Sequence, residues 1–95
     1  MRLAFGDHAR HIPVTSIKST VGHCLAAAGA IEAAALALSI KNRLVPPTIN
    51  HRERDPECDI DVVANDARQV TISCGISTSL AFGGNNAALV MKRFD

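Results

Sequence analysis

The sequence predicts an α/β protein in which one long, buried, Ala-rich helix packs on a small mixed sheet and a C-terminal antiparallel strand pair closes the chain. Eight of the seventeen residues from Cys24 to Ile40 are alanine, the strongest helix former. Two runs of strand-forming residues, Val70 to Leu80 and Ala87 to Lys92, flank a Gly-Gly-Asn-Asn turn. Together these observations favour a helix that lies against a hairpin.

Composition excludes several classes of protein. The 95 residues are 47% hydrophobic, carry a formal net charge of +1 and include no Trp or Tyr. They therefore offer neither the basic surface nor the stacking aromatics that nucleic-acid binding uses. Three cysteines, an odd number without close pairing, fit a reducing compartment, and the N-terminus lacks the pattern of a secretory signal. We expect a cytoplasmic protein with no nucleic-acid or membrane partner.

The first part of the chain leads into the helix. Met1 to His11 shows no clear period and is expected to be a solvated lead-in, whereas Ile12 to Ile17 is typical of a short strand. Ser19 and Thr20 are good N-cap residues for a helix from about Val21 to Lys41. Because this helix is apolar nearly all round, we expect it to be buried on most sides.

The helix carries one internal charge, Glu32, and a carboxylate that is buried needs a partner. This charge and the short length of the helix argue against a membrane span. After the helix, Pro46-Pro47 favours an extended path. A charged loop from His51 to Asp61, a short strand from Ile60 to Ala64 and a polar turn from Asn65 to Arg68 are expected to follow.

No metal site is expected. His8 and His11 have a spacing seen in zinc ligands, but no second pair of ligands lies at a suitable spacing. Asp55, Glu57 and Asp59 alternate as in a calcium loop, but the position that requires glycine in such a loop is an isoleucine. A solvated loop explains these acidic residues better.

His23 and Lys18 form a candidate site at the start of the helix. The partial positive charge of a helix N-terminus opposes protonation of an imidazole, and a neutral imidazole can donate a hydrogen bond to developing negative charge. Lys18 precedes His23 across a turn that contains Gly22. The same residues also fit an ordinary core helix with a hydrogen-bonded His, and both interpretations stay open at this point.

Three segments, in order along the chain, match a known pattern. KSTVGHCLAAAGAIE, from Lys18, resembles the K-S-x-x-G-H-x-x-x-A-x-G-A-x-E segment of the beta-ketoacyl-acyl-carrier-protein synthases, the condensing enzymes of fatty-acid and polyketide synthesis. VPPTIN, from Val45, resembles that family's V-P-P-T-x-N. SLAFGGNNAALVMKR, from Ser79, resembles its closing S-F-G-F-G-G-T-N-A-x-L-V-x-x-R.

The resemblance implies a thiolase-like fold of which this chain is only a part. The family is several times longer and folds as two similar halves. We therefore expect residues 1–95 to form the C-terminal part of a beta-ketoacyl synthase C-terminal domain, and to leave one face of the central helix uncovered. None of Cys24, Cys58 and Cys74 matches the family's nucleophile motif, so the chain alone is expected to be inactive.

The chemistry that the resemblance implies is a decarboxylating condensation. An acyl thioester on a catalytic Cys is attacked by the enolate that forms when a malonyl unit on acyl carrier protein loses carbon dioxide. By resemblance, His23 is one of two histidines that hydrogen-bond the enolate, Lys18 is the active-site Lys and Glu32 is its acidic partner. Phe82 corresponds to the residue whose N–H helps to form the oxyanion hole and whose ring gates the acyl pocket.

Departures from the family pattern concern that pocket. Candidate substrate-binding residues are Leu80, Phe82, Gly83 and Gly84. Leu80 stands where the family has an aromatic residue, and the positions of Thr78, Ala81 and Asn85 also differ, which leaves the shape of the pocket open. Without the family pattern, the segment from Phe82 to Gly84 would be interpreted as a hairpin turn with a packed aromatic ring.

Three functional hypotheses follow. The first is a piece of an active condensing enzyme that needs no cofactor, works with acyl carrier protein and forms a homodimer as a full enzyme. The second is a piece of a non-catalytic partner subunit of the chain-length-factor type. The third, a small interaction module, leaves the three ordered motifs unexplained. Retention of Lys18, His23 and Glu32 favours the first, for either fatty-acid or polyketide synthesis.

Overall fold

A computed structural model describes residues 1–94, which form two compact units. Unit 1 comprises Met1–Gly22 and Val45–Arg68, and unit 2 comprises His23–Leu44 and the segment from Gln69 onward. Each unit thus combines two separate stretches of the chain. The α/β class that the sequence predicts is confirmed.

Helices predominate in the first 42 residues, and five strands follow one another after them. The α-helices are α1 (Arg2–Phe5), α2 (Lys18–Val21) and α3 (Ala28–Asn42), and 3₁₀ helices cover Gly6–His11 and Leu25–Ala27. The strands are β1 (Pro13–Val14), β2 (Leu44–Val45), β3 (Asp61–Val62), β4 (Arg68–Gln69), β5 (Cys74–Leu80) and β6 (Asn86–Lys92). They form three two-stranded sheets, β1 with β3, β2 with β4, and β5 with β6.

Unit 1 is built around a short parallel ladder. In β1 and β3, Pro13 pairs with Asp61 and Val14 with Val62, and the next amide, that of Val63, donates to the Val14 carbonyl at 2.9 Å. Val63 is 1% exposed and Ala9 is 2% exposed, so both contribute to the core of this unit. The lead-in is exposed at every residue except Ala9, as expected of a solvated segment, but it is helical although its sequence shows no clear period.

The strand expected over residues 12–17 is shorter than predicted. It ends at Val14 because Thr15 and Ser16 bond to the segment after β2 instead of continuing the ladder. After β2 and the Pro46-Pro47 pair, Thr48 forms a parallel bridge with Ala64.

Unit 2 is a helix on a hairpin. β5 and β6 form the antiparallel pair that the sequence predicts, with partners running from Cys74 and Lys92 to Leu80 and Asn86. The strand expected to begin at Val70 begins at Cys74, because the Val70 amide instead donates to the Arg43 carbonyl at 2.9 Å. The long helix α3 packs on β5.

The predicted helix from Val21 to Lys41 is not continuous. A one-turn helix ends at Val21, Gly22 and Leu25 have positive φ angles of 81° and 49°, and the long helix begins only at Ala28. A positive φ interrupts right-handed helical geometry, so alanine propensity cannot propagate the helix through this segment. α3 ends at Asn42, and the left-handed residue Arg43 caps it by donating its N–H to the Ser39 carbonyl.

Burial of α3 is limited to its C-terminal end. Within residues 1–94 only Ser39 and Ile40 of this helix are buried. The expectation that the helix is buried on most sides is therefore wrong for this chain, because the described residues leave most of its surface uncovered. By length and composition, the 18 residues of Leu25–Asn42 with a mean hydropathy of 1.3 would suffice to cross a membrane, so the expectation that the helix is too short is wrong. Core helices of globular proteins meet the same criterion, and α3 packs on β5.

Candidate functional site

Lys18 begins α2 in unit 1 and is half-buried. The helix is a single turn, closed by the Gly22 amide, which donates to the Lys18 carbonyl at 2.9 Å. Ser19 and Thr20 lie inside this turn, so their expected role as N-caps of the long helix is wrong. Ser19 instead donates its hydroxyl to the Ser16 carbonyl at 3.0 Å.

Gly22 separates Lys18 from His23. Its φ of 81° and ψ of 177° lie in a region that is costly for any residue with a Cβ, and a Cβ there would meet no atom within 4 Å. The requirement for glycine is therefore conformational and not a matter of space. It directs the chain out of α2 into the loop that carries His23.

His23 lies in this loop, before the 3₁₀ helix Leu25–Ala27, and its side chain is exposed. The prediction that it stands at the mouth of the long helix is wrong. The Leu25 N–H donates to His23 Nδ1 at 3.0 Å. Since Nδ1 accepts, the neutral ring carries its proton on Nε2 and can donate it to a ligand. A local hydrogen bond, rather than the helix dipole, thus orients the imidazole.

Glu32 lies on α3 in unit 2 and is half-buried. Lys18 belongs to unit 1, so the two residues that the resemblance pairs lie in different units. Their pairing stays a prediction.

Phe82 lies at the tip of the β5–β6 hairpin and its side chain is fully exposed. Gly83 and Gly84 follow with φ angles of 84° and 82°, and the Ala81 amide donates to the Asn85 carbonyl at 2.9 Å to close the turn. Among residues 1–94, no group accepts a hydrogen bond from the Phe82 N–H. Leu80 ends β5 and is 80% exposed.

The direction of α3 relative to β5 shows where the His23 segment and the Phe82 turn lie within unit 2. A Cβ built on Gly75 would overlap the Leu36 side chain, and a Cβ on Gly29 would lie 3.7 Å from Ser79 Oγ. α3 therefore runs antiparallel to β5, and its N-terminus lies beside the end of β5. The segment that carries His23 and the turn that carries Phe82 consequently both leave from this end of the helix–strand pair.

A bidentate ion pair lies in unit 1, where the Arg68 guanidinium donates to both carboxylate oxygens of Asp61, at 2.5 and 2.9 Å. These hydrogen bonds hold the pKa of Asp61 below its ordinary value, against the opposing effect of burial. In the described part of the chain, no group of three His, Cys, Asp or Glu side chains could hold a metal ion. The three cysteines are free thiols.

Sequence reasoning missed the polar contacts that hold α2. Thr48 Oγ1 accepts from the Ser16 amide and Ser19 Oγ accepts from the Ile49 amide, both at 2.9 Å. A polar Thr48 after two prolines in a mostly apolar segment indicates a hydroxyl with a structural contact. The sequence does not show which distant group that hydroxyl contacts.

Comparison with known proteins identifies the family. Residues 1–52 match the family model described as "Beta-ketoacyl synthase, C-terminal domain". Over 91 residues, the chain is 52% identical to 3-oxoacyl-[acyl-carrier-protein] synthase 2 of Staphylococcus aureus (strain COL). This alignment covers 96% of this chain and 22% of the relative. The chain thus spans about a fifth of the length of that curated relative.

Solved structures give the same result. One similar structure is that of a type II PKS acyl-carrier protein in complex with its ketosynthase bound to the hexaketide. A chain of that complex superposes on this chain with a TM-score of 0.96 at 40% sequence identity. The superposition covers 99% of this chain and 23% of the other. The ishigamide ketosynthase/chain length factor superposes with a TM-score of 0.83 at 43% identity, over 85% of this chain and 20% of that one. The thiolase-like architecture expected from the motifs is therefore confirmed, and the chain belongs to the beta-ketoacyl synthase C-terminal domain family.

Proposed function

We propose that residues 1–95 supply the C-terminal part of the C-terminal domain of a decarboxylating condensing enzyme, a 3-oxoacyl-[acyl-carrier-protein] synthase. The observation that carries this proposal is the hydrogen bond from the Leu25 N–H to His23 Nδ1. It leaves an exposed Nε2–H donor within the K-S-x-x-G-H segment. A donor of this kind suits a reaction in which negative charge develops on a substrate oxygen.

The proposed role of His23 lies in the decarboxylation step. When the malonyl thioester loses carbon dioxide, the electron pair of the broken C–C bond moves into an enolate, and charge develops on the thioester oxygen. The Nε2–H of His23 donates to that oxygen. The enolate carbon then attacks the acyl thioester, and the thiolate of the catalytic Cys leaves. That Cys and a second His would come from parts of the enzyme outside these 95 residues.

Phe82 serves the acyl-transfer step in this proposal. Its backbone N–H has no acceptor among residues 1–94 and lies in a turn with two glycines, Gly83 and Gly84. It can therefore donate to the oxyanion of a tetrahedral intermediate. The exposed ring, together with Leu80, would border the acyl chain. Lys18 and Glu32 would form a charge pair near the reacting thioester.

The partner in this proposal is acyl carrier protein, which presents the acyl and malonyl thioesters. The structurally similar ketosynthase of the type II PKS was solved in complex with its acyl-carrier protein, and this complex supports the choice of partner. The complete enzyme would act as a cytoplasmic homodimer. A second candidate function, a subunit of the chain-length-factor type, is favoured by the likeness to the ishigamide ketosynthase/chain length factor.

The test uses a chimaeric synthase in which this chain replaces the 91 aligned residues of the S. aureus enzyme. We expect the chimaera to condense acyl and malonyl carrier-protein thioesters. His23→Ala should then slow carbon dioxide release by roughly two orders of magnitude, the usual cost of one such donor. Formation of the acyl-enzyme should change little, because backbone amides hold that oxyanion.

The matched control is His8→Ala, which removes an exposed His of the 3₁₀ helix Gly6–His11. It should leave both half-reactions unchanged. Equal losses in acylation and decarboxylation for the His23 variant would show that this residue serves the nucleophile or the fold instead. A well-folded chimaera that binds carrier protein but does not condense would favour the chain-length-factor alternative.

A further inference from the structure

A set of polar contacts in unit 1 joins α2 to the segment after β2. Ser19 Oγ donates to the Ser16 carbonyl at 3.0 Å and accepts from the Ile49 amide at 2.9 Å. A serine hydroxyl has one proton and two acceptor sites, so both contacts can form at once. Ser19 therefore ties the turn that carries Lys18 to a stretch of chain thirty residues away.

Thr48 makes the second connection. The Ser16 N–H donates to Thr48 Oγ1 at 2.9 Å. Thr15 Oγ1 lies 3.5 Å from Thr48 Oγ1 and donates to the Pro46 carbonyl at 2.6 Å. Because the single Thr15 proton is used at Pro46, Thr48 is the donor in the contact between the two hydroxyls. The hydrogen bonds thus run in one direction, from Ser16 through both threonines to Pro46, which strengthens each of them.

The backbone of Thr48 is held by the core of unit 1. Its N–H donates to the Val63 carbonyl at 2.8 Å, and its carbonyl accepts from the Asn65 amide at 2.9 Å. Val63 is the largest fully buried side chain among the described residues. Thr48 therefore links the buried core of the unit to the turn that precedes Lys18.

The short length of α2 makes this link important. A helix of four residues has no stability of its own, because nucleation costs more than one turn of hydrogen bonds returns. The position of Lys18 must therefore come from contacts outside the helix. We infer that Thr48 and Ser19 are positioning residues for Lys18. The V-P-P-T-x-N segment thereby holds the K-S-x-x-G-H segment in place.

This inference rests on the proposed function, in which Lys18 acts near the reacting thioester. The first test is kinetic and uses the chimaeric synthase. Thr48→Val removes the hydroxyl at nearly constant shape, and Thr48→Ser keeps it. Ser19→Ala removes the other hydroxyl. Thr20→Val is the matched control, because it makes the same substitution at an exposed position of the same helix.

We expect Thr48→Val and Ser19→Ala each to lower kcat by about 10- to 100-fold, the usual effect of a small displacement of a group at the reacting centre. KM for the malonyl carrier-protein thioester should stay nearly unchanged, since Lys18 is not proposed to bind the carrier protein. Thr48→Ser should restore kcat, and Thr20→Val should not change it. The inference would be overturned if kcat fell only in proportion to the fraction of folded protein. It would also be overturned if Thr48→Ser did not restore kcat.

A second measurement is independent of activity. Lys18 is one of three lysines in the chain, with Lys41 and Lys92. Reductive methylation followed by peptide mapping therefore reports the accessibility of each amine in the 95-residue chain. Thr48→Val should accelerate methylation of the half-buried Lys18 about fivefold, as loss of one hydrogen bond would allow. The other two lysines should be unaffected.

The two tests separate the inference from the proposed function. If the chimaera with the unaltered chain is inactive, the proposed function fails and methylation decides the positioning role. Unchanged methylation of Lys18 in both Thr48→Val and Ser19→Ala would refute that role, whatever the activity of the chimaera.

Discussion

Close packing of α3 on β5 yields a prediction about Gly75. A Cβ at this position would overlap Leu36 Cδ1 and would lie 3.4 Å from Leu36 Cγ. The Gly75→Ala variant must therefore displace the Leu36 side chain or the helix that carries it. Overpacking of this kind costs about 1–3 kcal/mol, and we expect the lower end because a terminal methyl group can rotate away.

An opposing effect reduces this cost. Replacing glycine by alanine lowers the entropy of the unfolded chain, which stabilises the folded state by about 0.4–1 kcal/mol. We therefore expect Gly75→Ala to lower the free energy of unfolding by up to about 0.6 kcal/mol. Gly29→Ala is the matched control, because its Cβ would lie 3.7 Å from Ser79 Oγ and would fit without displacement. In α3 the added methyl group should raise stability by up to about 1 kcal/mol.

Equilibrium urea unfolding of the dilute chain measures both variants. A double-mutant cycle with Leu36→Ala adds a direct test of the contact. If Leu36 is the group that the new methyl displaces, the cost of Gly75→Ala should largely disappear in the Leu36→Ala background. The packing argument is refuted if Gly75→Ala is as stable as Gly29→Ala, or if its effect is the same in both backgrounds.

Other predictions concern charge and exposed surface. Arg68 holds the pKa of Asp61 below its ordinary 3.8, so this ion pair stabilises the fold above that pH. The stabilisation is lost as pH falls through the lowered pKa. Acid-unfolding curves of Asp61→Asn should lack this pH-dependent contribution. Asp59 contacts the guanidinium groups of Arg2, Arg10 and Arg54. Asp59→Asn should destabilise the chain by at most about 1 kcal/mol, and less at high salt, whereas Asp55→Asn should not, as urea unfolding at two salt concentrations will show. The chain should also self-associate through its uncovered apolar surface, and a monodisperse monomer in sedimentation would contradict this. That surface includes Ile31, Leu38, Leu89 and Val90.

The sequence alone predicts much of unit 2. Alanine propensity is a local property, so the core of the helix follows from composition, and α3 does occupy Ala28–Asn42. The hairpin follows for the same reason, since a Gly-Gly turn between two runs of strand formers brings neighbouring segments together. Its closing strand was predicted from Ala87 to Lys92 and covers Asn86–Lys92. The motifs also identified the family, because their residue types and order are preserved in the chain itself.

Tertiary structure decided the features that depend on distant residues. The helix is interrupted before Ala28 because the backbone at Gly22 and Leu25 takes positive φ angles, which local propensity cannot overcome. His23 is oriented by one amide in that interrupted segment, and a continuous helix would have given it a different partner. Thr48 and Ser19 could not be matched from sequence, since a hydroxyl has no pattern that specifies which amide it will meet across thirty residues. Local propensity thus determined which elements form, and side-chain contacts between remote segments determined where those elements end and how they hold the proposed site residues.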